Sequence, residues 1–271
     1  MPAVDHQRVA RSFHRGAAEY DQHTPVQQRV VQRLLERLAG LLPVEPGRVL
    51  DIGCGTGQLL AQVARRYPQA SLTGLDLAPN MLRQAGQRLG KTVILQQGDA
   101  EHLPFGEHCF DLVVSSSTFQ WLEQCSRCFS EVHRVLESGG LFGFALFGAG
   151  TLAELRVAWQ EALERCGRHL PLNQDGSHRF PTVDTIRDAL VEQGFYEVSV
   201  TSELEQVWYP DLPQLLQAIK RIGAGTARPP AGGGLGWRRV LHEMAAIYRE
   251  RFGTDRGVPA SYHVIYGSGR L

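Results

Sequence analysis

Apolar residues change their spacing along this chain. Over residues 24–42, Val26, Val30, Leu34, Leu38 and Leu41 recur near helical spacing, and Pro43 follows, which predicts an amphipathic helix. Beyond it the apolar residues gather in short runs, which predict strands at 48–52, 71–76, 92–97, 110–115 and 141–147. Segments 58–67, 80–89 and 127–136 fit helices between those strands, the last closed by a turn at Ser138-Gly139-Gly140. Strands alternating with helices signal βαβ units and a parallel sheet.

The alternation lapses after Phe147. Residues 151–165, with Leu152, Leu155, Trp159 and Leu163 on one side, predict a helix inserted over the sheet. Helix 183–193 and strand 195–201 resume the pattern, and a final strand is expected at 262–266. The connection 202–260 is far longer than an ordinary loop, so it is read as a second insertion with helices at 212–222 and 237–252. Between those helices, 223–236 carries Pro229-Pro230 and three successive glycines and is the expected mobile loop.

Charge narrows the partners. The 271 residues hold 28 Lys+Arg and 28 Asp+Glu, a net charge of zero, which argues against a protein that grips nucleic acid or an anionic membrane with its whole surface. No apolar run approaches the roughly 18 residues of a membrane span. The N-terminus lacks an apolar signal region, and Asp5, Glu19 and the scarcity of Ser argue against a transit peptide. A cytoplasmic monomer is expected. Five scattered cysteines do not suggest a disulfide framework, and Cys125-x-x-Cys128 lacks a second pair, so no metal site is expected.

The chemistry concentrates in Asp51-Ile52-Gly53-Cys54-Gly55-Thr56-Gly57, where a strand feeds a glycine-dense turn and then a helix. Glycines at alternate positions allow a tight turn and leave no Cβ between backbone and ligand. Asp76 ends the next strand about 20 residues on, where dinucleotide folds hold a ribose. Asp99, in Gly98-Asp99-Ala100, ends the third strand, in reach of an exocyclic adenine amine. The G-x-G-x-x-G fingerprint is not met, because its third glycine position is Gln58, which disfavours hydride chemistry. Asp51 adds a carboxylate that is unwelcome beside pyrophosphate and useful beside a cation. Together these residues ask for an adenosine carrying a cationic centre.

The D-x-G-x-G-x-G loop, the Asp76 strand end and the Gly98-Asp99-Ala100 turn resemble the S-adenosylmethionine (SAM) methyltransferases over residues 45–147. The resemblance implies an α/β fold: a Rossmann-like seven-stranded sheet with helices on both faces, within a single domain. That domain would comprise a helical leader (1–44), a SAM-binding core (45–147) and substrate-side insertions (148–182 and 202–260). It also implies that Asp51, Gly53, Gly55 and Gly57 surround the methionyl part, that Asp76 holds the ribose hydroxyls, that Leu77 and Met81 flank the adenine, and that Asp99 and Ala100 meet its edge. Tyr20, Ser116 and Gln120 join the same implied cofactor set, Tyr20 closing the leader near the methionyl carboxylate.

Leader segments 9–13 and 17–21 and the run Ser117-Thr118-Phe119-Gln120-Trp121 are similar to the malonyl-[acyl-carrier protein] O-methyltransferase family of biotin synthesis, as are 150–156, 218–224 and 262–267. The implied substrate is a malonyl thioester on acyl carrier protein, or malonyl-CoA, with no nucleic-acid or membrane partner. Its carboxylate is ionised at neutral pH, with a reference pKa near 4, so no general base is expected. Arg156 is the first choice to fork that carboxylate, Trp121, Phe119 and Trp159 are candidate dry walls, and Lys220 is a candidate substrate contact. Within 217–251, seven bases face two acids, a field suited to an acidic carrier unless Glu197, Glu203, Glu205 and Asp211 offset it. Methylation of another small acid or a quinone-type ring, or a SAM-binding module without chemistry, remain open readings.

Overall fold

The apolar runs pair into one seven-stranded sheet in a computed structural model that describes residues 20–42, 45–122, 124–168, 180–221 and 235–271, with backbone alone at 235 and 236. The leader segments before Tyr20 and most of the Pro/Gly loop lie outside the described residues. The strands are β1 (Arg48–Ile52), β2 (Ser71–Asp76), β3 (Ile94–Gln97), β4 (Phe110–Ser116), β5 (Leu136–Phe147), β6 (Tyr196–Tyr209) and β7 (Val258–Arg270). Their order is β3-β2-β1-β4-β5-β7-β6. The first five are parallel; β7 runs antiparallel to both β5 and β6.

The described helices are α1 (Pro25–Leu38), α2 (Gln58–Arg66), α3 (Pro79–Leu89), α4 (Cys125–Val135), α5 (Ala153–Arg165), α6 (Val183–Glu192), α7 (Leu212–Arg221) and α8 (Leu235–Phe252). Helix α1 buries Val26, Val30, Val31, Leu34, Leu35 and Leu38 against β4, β5 and β7. It stops at Leu38, short of the expected 42. On the opposite face, Phe129 of α4 packs with Phe119, Phe142 and Phe144, ring centroids 5.3–5.7 Å from Phe129, and α6 adds Ile186 and Leu190 to the same core.

Three strand boundaries differ from expectation. Gly90–Thr92 forms a 3-10 turn, so β3 begins only at Ile94. The glycine turn expected after α4 lies inside β5, whose pairing with β4 shifts between Phe110 and Leu112. Gly139 donates its N–H to the Leu271 carbonyl at 2.6 Å and Leu271 donates to the Gly140 carbonyl at 3.2 Å, so these bonds take the place of a free turn. The third difference is the largest. The β6–β7 pair continues past the end of β5, where Phe147 faces Val264, as far as Tyr209 opposite Val258. Each strand supplies the other's hydrogen bonds, so both ends of the expected 202–260 insertion are sheet.

Helices α5, α7 and α8 pack on this extension. Tyr248 of α8 donates to the Pro259 carbonyl at 2.8 Å, the Ser261 hydroxyl donates to Glu154 of α5, and Trp159 stacks on Trp237 at 5.9 Å with 7° between planes. Helix α7 lies against β6 and also against a 3-10 turn at Tyr20–His23. No described helix is long and apolar enough to cross a membrane.

Three of the four acids expected to offset the basic segment are engaged elsewhere, while Asp211 stays at the start of α7, accepting from the Gln214 N–H at 2.9 Å. Glu205 pairs with Arg29 at 2.9 Å, Glu203 with Arg37 at 2.5 Å, and Glu197 with Arg270 at 3.0 Å. Their partners come from α1 and β7 because β6 runs beside those elements.

Gly143 of β5 marks the closest approach of α1 to the sheet: a Cβ there would lie 2.3 Å from a Leu38 methyl. Gly143→Ala should cost about 1–3 kcal/mol through overpacking, whereas Leu38→Ala alone should cost about 2–5 kcal/mol. In urea unfolding the double variant should fall clearly short of the sum, because the truncated Leu38 leaves room for the new methyl; strict additivity would show that the two do not meet.

Candidate functional site

Strand order reverses between β1 and β4, and open α/β sheets bind ligands outside the carboxyl ends of their strands at such a point. A cavity lies there. Gly53 and Gly55 line it after β1, Asp76, Leu77, Ala78 and Met81 after β2, Asp99 and Ala100 after β3, Ser116, Ser117, Thr118, Trp121 and Leu122 after β4, and Tyr20 from the leader turn.

The glycine loop is shaped by its neighbours. Gly53 (φ 70°) and Gly55 (φ 54°) adopt left-handed backbone that L side chains rarely take. A Cβ on Gly53 would lie 2.2 Å from Thr118 Oγ1, so the loop rests directly against the end of β4. Asp76 braces it from the other side: its Oδ2 accepts from the Gly55 N–H at 2.9 Å and its Oδ1 from the Ala78 N–H at 2.8 Å. Each carboxylate oxygen keeps a second lone pair for a ligand hydroxyl. Asp99 orders its turn by accepting from the Glu101 N–H at 3.0 Å.

Asp51 is the electrostatic centre. It lies behind the loop, 1% exposed, and neither carboxylate oxygen has a hydrogen-bond partner among the described residues. Burial first, and Asp76 second, push its carboxyl well above the usual carboxylate range. Burial also raises Asp76, against the opposing donors of Ala78, Gly55 and Leu77. The Tyr20 hydroxyl is raised by burial, then by Asp76 and Asp21, so it keeps its proton. A buried, unpartnered carboxylate beside a second acid suits a cation.

Several sequence-predicted residues take other places. Gly57 caps α2, and a Cβ there would meet Leu89 at 2.8 Å and Ala85 at 3.2 Å, so its smallness serves helix packing against α3. Gln120 is buried behind the cavity and donates to the Ser117 carbonyl at 2.6 Å. Phe119 belongs to the aromatic core, and Trp159 to the stack between α5 and α8. Arg156 is exposed and is not among the cavity residues: α5 turns Ala158, Ala162 and Leu163 inward, which leaves Arg156 facing out. Lys220 is likewise exposed, since α7 buries Leu212, Leu215 and Ile219. Ala78, Ser117, Thr118 and Leu122 line the cavity without having been singled out as site residues. For Ser117 and Thr118 the signal was present in the run after β4.

No group of three potential metal ligands occurs among the described residues. Burial, then Glu101, raises the Cys125 thiol to about 11.

The fold and this acidic, glycine-floored cavity define a SAM-dependent methyltransferase. A methyltransferase-domain family model matches residues 50–144. A malonyl-[acyl-carrier protein] O-methyltransferase of Geobacter sulfurreducens is 49% identical over 98% of this chain and 99% of its own length. A biotin biosynthesis bifunctional protein BioHC of Teredinibacter turnerae is 32% identical over 96% of this chain, which spans 46% of that protein. Among solved structures, a methyltransferase fold from Bacillus halodurans aligns with a TM-score of 0.60 at 18% identity, covering 89% of this chain and 97% of that one. The chain belongs to the malonyl-[acyl-carrier protein] O-methyltransferase family.

Asp51 yields a signed prediction. Its raised carboxyl holds a proton in the folded chain that the unfolded chain releases, so stability of the ligand-free protein falls as pH rises from about 4. Asp51→Asn should raise the ligand-free Tm at neutral pH and flatten that slope, leaving the part due to Asp76. The same change should weaken S-adenosylhomocysteine by roughly 10- to 100-fold in calorimetry, the loss of a charged hydrogen-bond partner. Unchanged affinity would show that Asp51 meets no cation.

Proposed function

We propose that this chain methylates the free carboxylate of a malonyl thioester carried on acyl carrier protein, in the cytoplasm, in biotin synthesis. The full-length 49% identity to the Geobacter protein carries the substrate reading, and the cavity supports it. Five free cysteines suit a reducing compartment. S-adenosylmethionine supplies the methyl group as a sulfonium electrophile. Asp51, Asp76, Asp99, the glycine loop and Tyr20 would hold it, with Met81 and Leu77 beside the adenine.

The residues around the cavity suit an acceptor that is already an anion. Among the described lining residues there is no lysine, arginine, histidine or cysteine, Tyr20 retains its proton, and in this reading the Asp76 and Asp99 carboxylates are committed to the cofactor, so no lining side chain is left as a general base for the acceptor. A carboxylate acceptor needs none. With Arg156 turned outward, the Ser116 and Ser117 hydroxyls are the better groups to orient the acceptor. Both are buried without a hydrogen-bond partner among the described residues, and both residues line the cavity. Ser117 sits at φ 58°, a costly conformation that aims the chain end of β4 into the site. Trp121 supplies an apolar wall that excludes water.

Docking of an acidic carrier suits the exposed Lys220, Arg221, Arg238, Arg239, Arg249 and Arg251 of α7 and α8. Of these, Arg251 is paired with Glu161 at 2.9 Å. The acids of β6 are taken by α1 and β7, which leaves this basic field standing.

Labelled methyl transfer from SAM, offered malonyl carrier protein, malonyl-CoA and free malonate in parallel, tests the reading: base-labile methyl ester on the carrier is expected, and no product from any acceptor would sink it. In that assay Ser117→Ala should lower kcat/KM by about 10-fold or more while leaving S-adenosylhomocysteine affinity intact. Arg238→Glu with Arg239→Glu should raise the carrier-substrate KM by about 10-fold at low salt, with little change for malonyl-CoA. An equal effect on both acceptors would remove the docking role.

A further inference from the structure

The leader turn Tyr20–His23 reaches the cavity through Tyr20, which packs on Ala78 and Met81 at the start of α3. The next residue, Asp21, gathers donors from two distant parts of the core. Its Oδ1 accepts from the Thr56 hydroxyl at 2.7 Å and from Gln58 Nε2 at 2.7 Å, and its Oδ2 pairs with the Arg88 guanidinium. Arg88 also donates to the Thr56 carbonyl at 2.6 Å and to the Thr56 hydroxyl at 3.0 Å. Thr56 follows the cavity-lining Gly55 in the glycine loop, Gln58 begins α2, and Arg88 lies in the last turn of α3. The Asp21 backbone carbonyl is held as well, by Gln28 of α1 at 2.9 Å.

This is more than a surface ion pair, which is typically worth about 0–1 kcal/mol. Three donors converge on one half-buried carboxylate, and the residue that bridges them, Thr56, is 4% exposed. Burial would raise the Asp21 carboxyl, but Thr56, Arg88 and Gln58 outweigh it and hold it below the usual range.

From this geometry we propose that Asp21 and Arg88 are positioning residues, a latch that holds Tyr20 over the bound cofactor by tying the leader turn to the glycine loop and α3. The proposal rests on the assignment of this cavity to SAM. Neither residue lines the cavity; both act through the tyrosine and the loop. When the latch is released, Tyr20 loses its registration against Met81 and the cofactor leaves faster, while the rest of its binding groups stay in place.

Displacement of labelled S-adenosylhomocysteine from the full chain gives the test. Asp21→Ala and Arg88→Gln should each raise the off-rate by about tenfold, the size of effect lost with one charge-assisted hydrogen bond. The association rate should change little, and the double variant should be no worse than either single one. Combined with Tyr20→Ala, Asp21→Ala should add less than about twofold, because the lid it positions is gone. Hydrogen exchange of amides 20–24 in the ligand-free chain should accelerate in both single variants, a readout that needs no cofactor and judges the latch independently of the site's assignment. Unchanged off-rates, an Asp21→Ala effect undiminished without Tyr20, or unaltered exchange would each overturn the proposal. Should Asp21→Ala fail to fold, Arg88→Gln alone carries all three readouts.

Discussion

An uncompensated carboxylate in the interior is the constraint on which the carboxyl edge of this sheet is built. Removing an ionised carboxylate from water without a partner costs several kcal/mol, so a chain that keeps one either protonates it or reserves it for a cation. Asp51 lies at the end of β1, where its neighbour β4 supplies no donor to it. Asp76 raises the cost further, and the glycine loop that follows β1 is braced against Asp76. Thr118 and Asp76 hold the loop from opposite sides. The folded chain therefore carries Asp51 at a cost, which favours its protonated form.

Substrate-side structure grows from a different principle. Beyond β5 the sheet narrows to β6 and β7 alone, and a two-stranded ribbon needs an apolar cover to persist. Helices α5, α7 and α8 provide it, with Trp159, Trp237 and Tyr248 in the seam. The same helices present their charged residues outward. Covering a bare ribbon and displaying a basic face are thus two sides of one set of helices, and α7 also contacts the leader turn that carries Tyr20.

The legible parts of the sequence were those where chemistry is local. β1 and β2 were readable to the residue because a continuous apolar run ended in an acid or glycine, and the acids at 51, 76 and 99 declared themselves by recurring at successive strand ends. What escaped depended on partners remote in the chain. The tails of β6 and β7 look polar and irregular read singly, and only their mutual pairing makes them strands. Gly57 has the same local appearance as Gly53 and Gly55, yet its neighbours are Leu89 and Ala85, some thirty residues on, and that contact decides its role. Arg156 failed for a simpler reason: a helix has two faces, and the apolar residues at 158, 162 and 163 claimed the inner one. The run after β4 stands out as a motif, but which of its side chains turn toward the cavity depends on the unusual backbone at Ser117.

The position of β7 has a bearing on how the protein is made. It is the last of the described strands, and it fills the slot between β5 and β6. A ribosome delivers β6 before its sole described neighbour: at about 5–20 residues per second, the 48 positions between Tyr209 and Val258 take roughly 2–10 seconds. During that interval a 14-residue strand waits with both edges open. Until β7 is made, β6 lacks the strand it pairs with, so the nascent chain passes through a stage at which this edge is open to mispairing with another copy of itself.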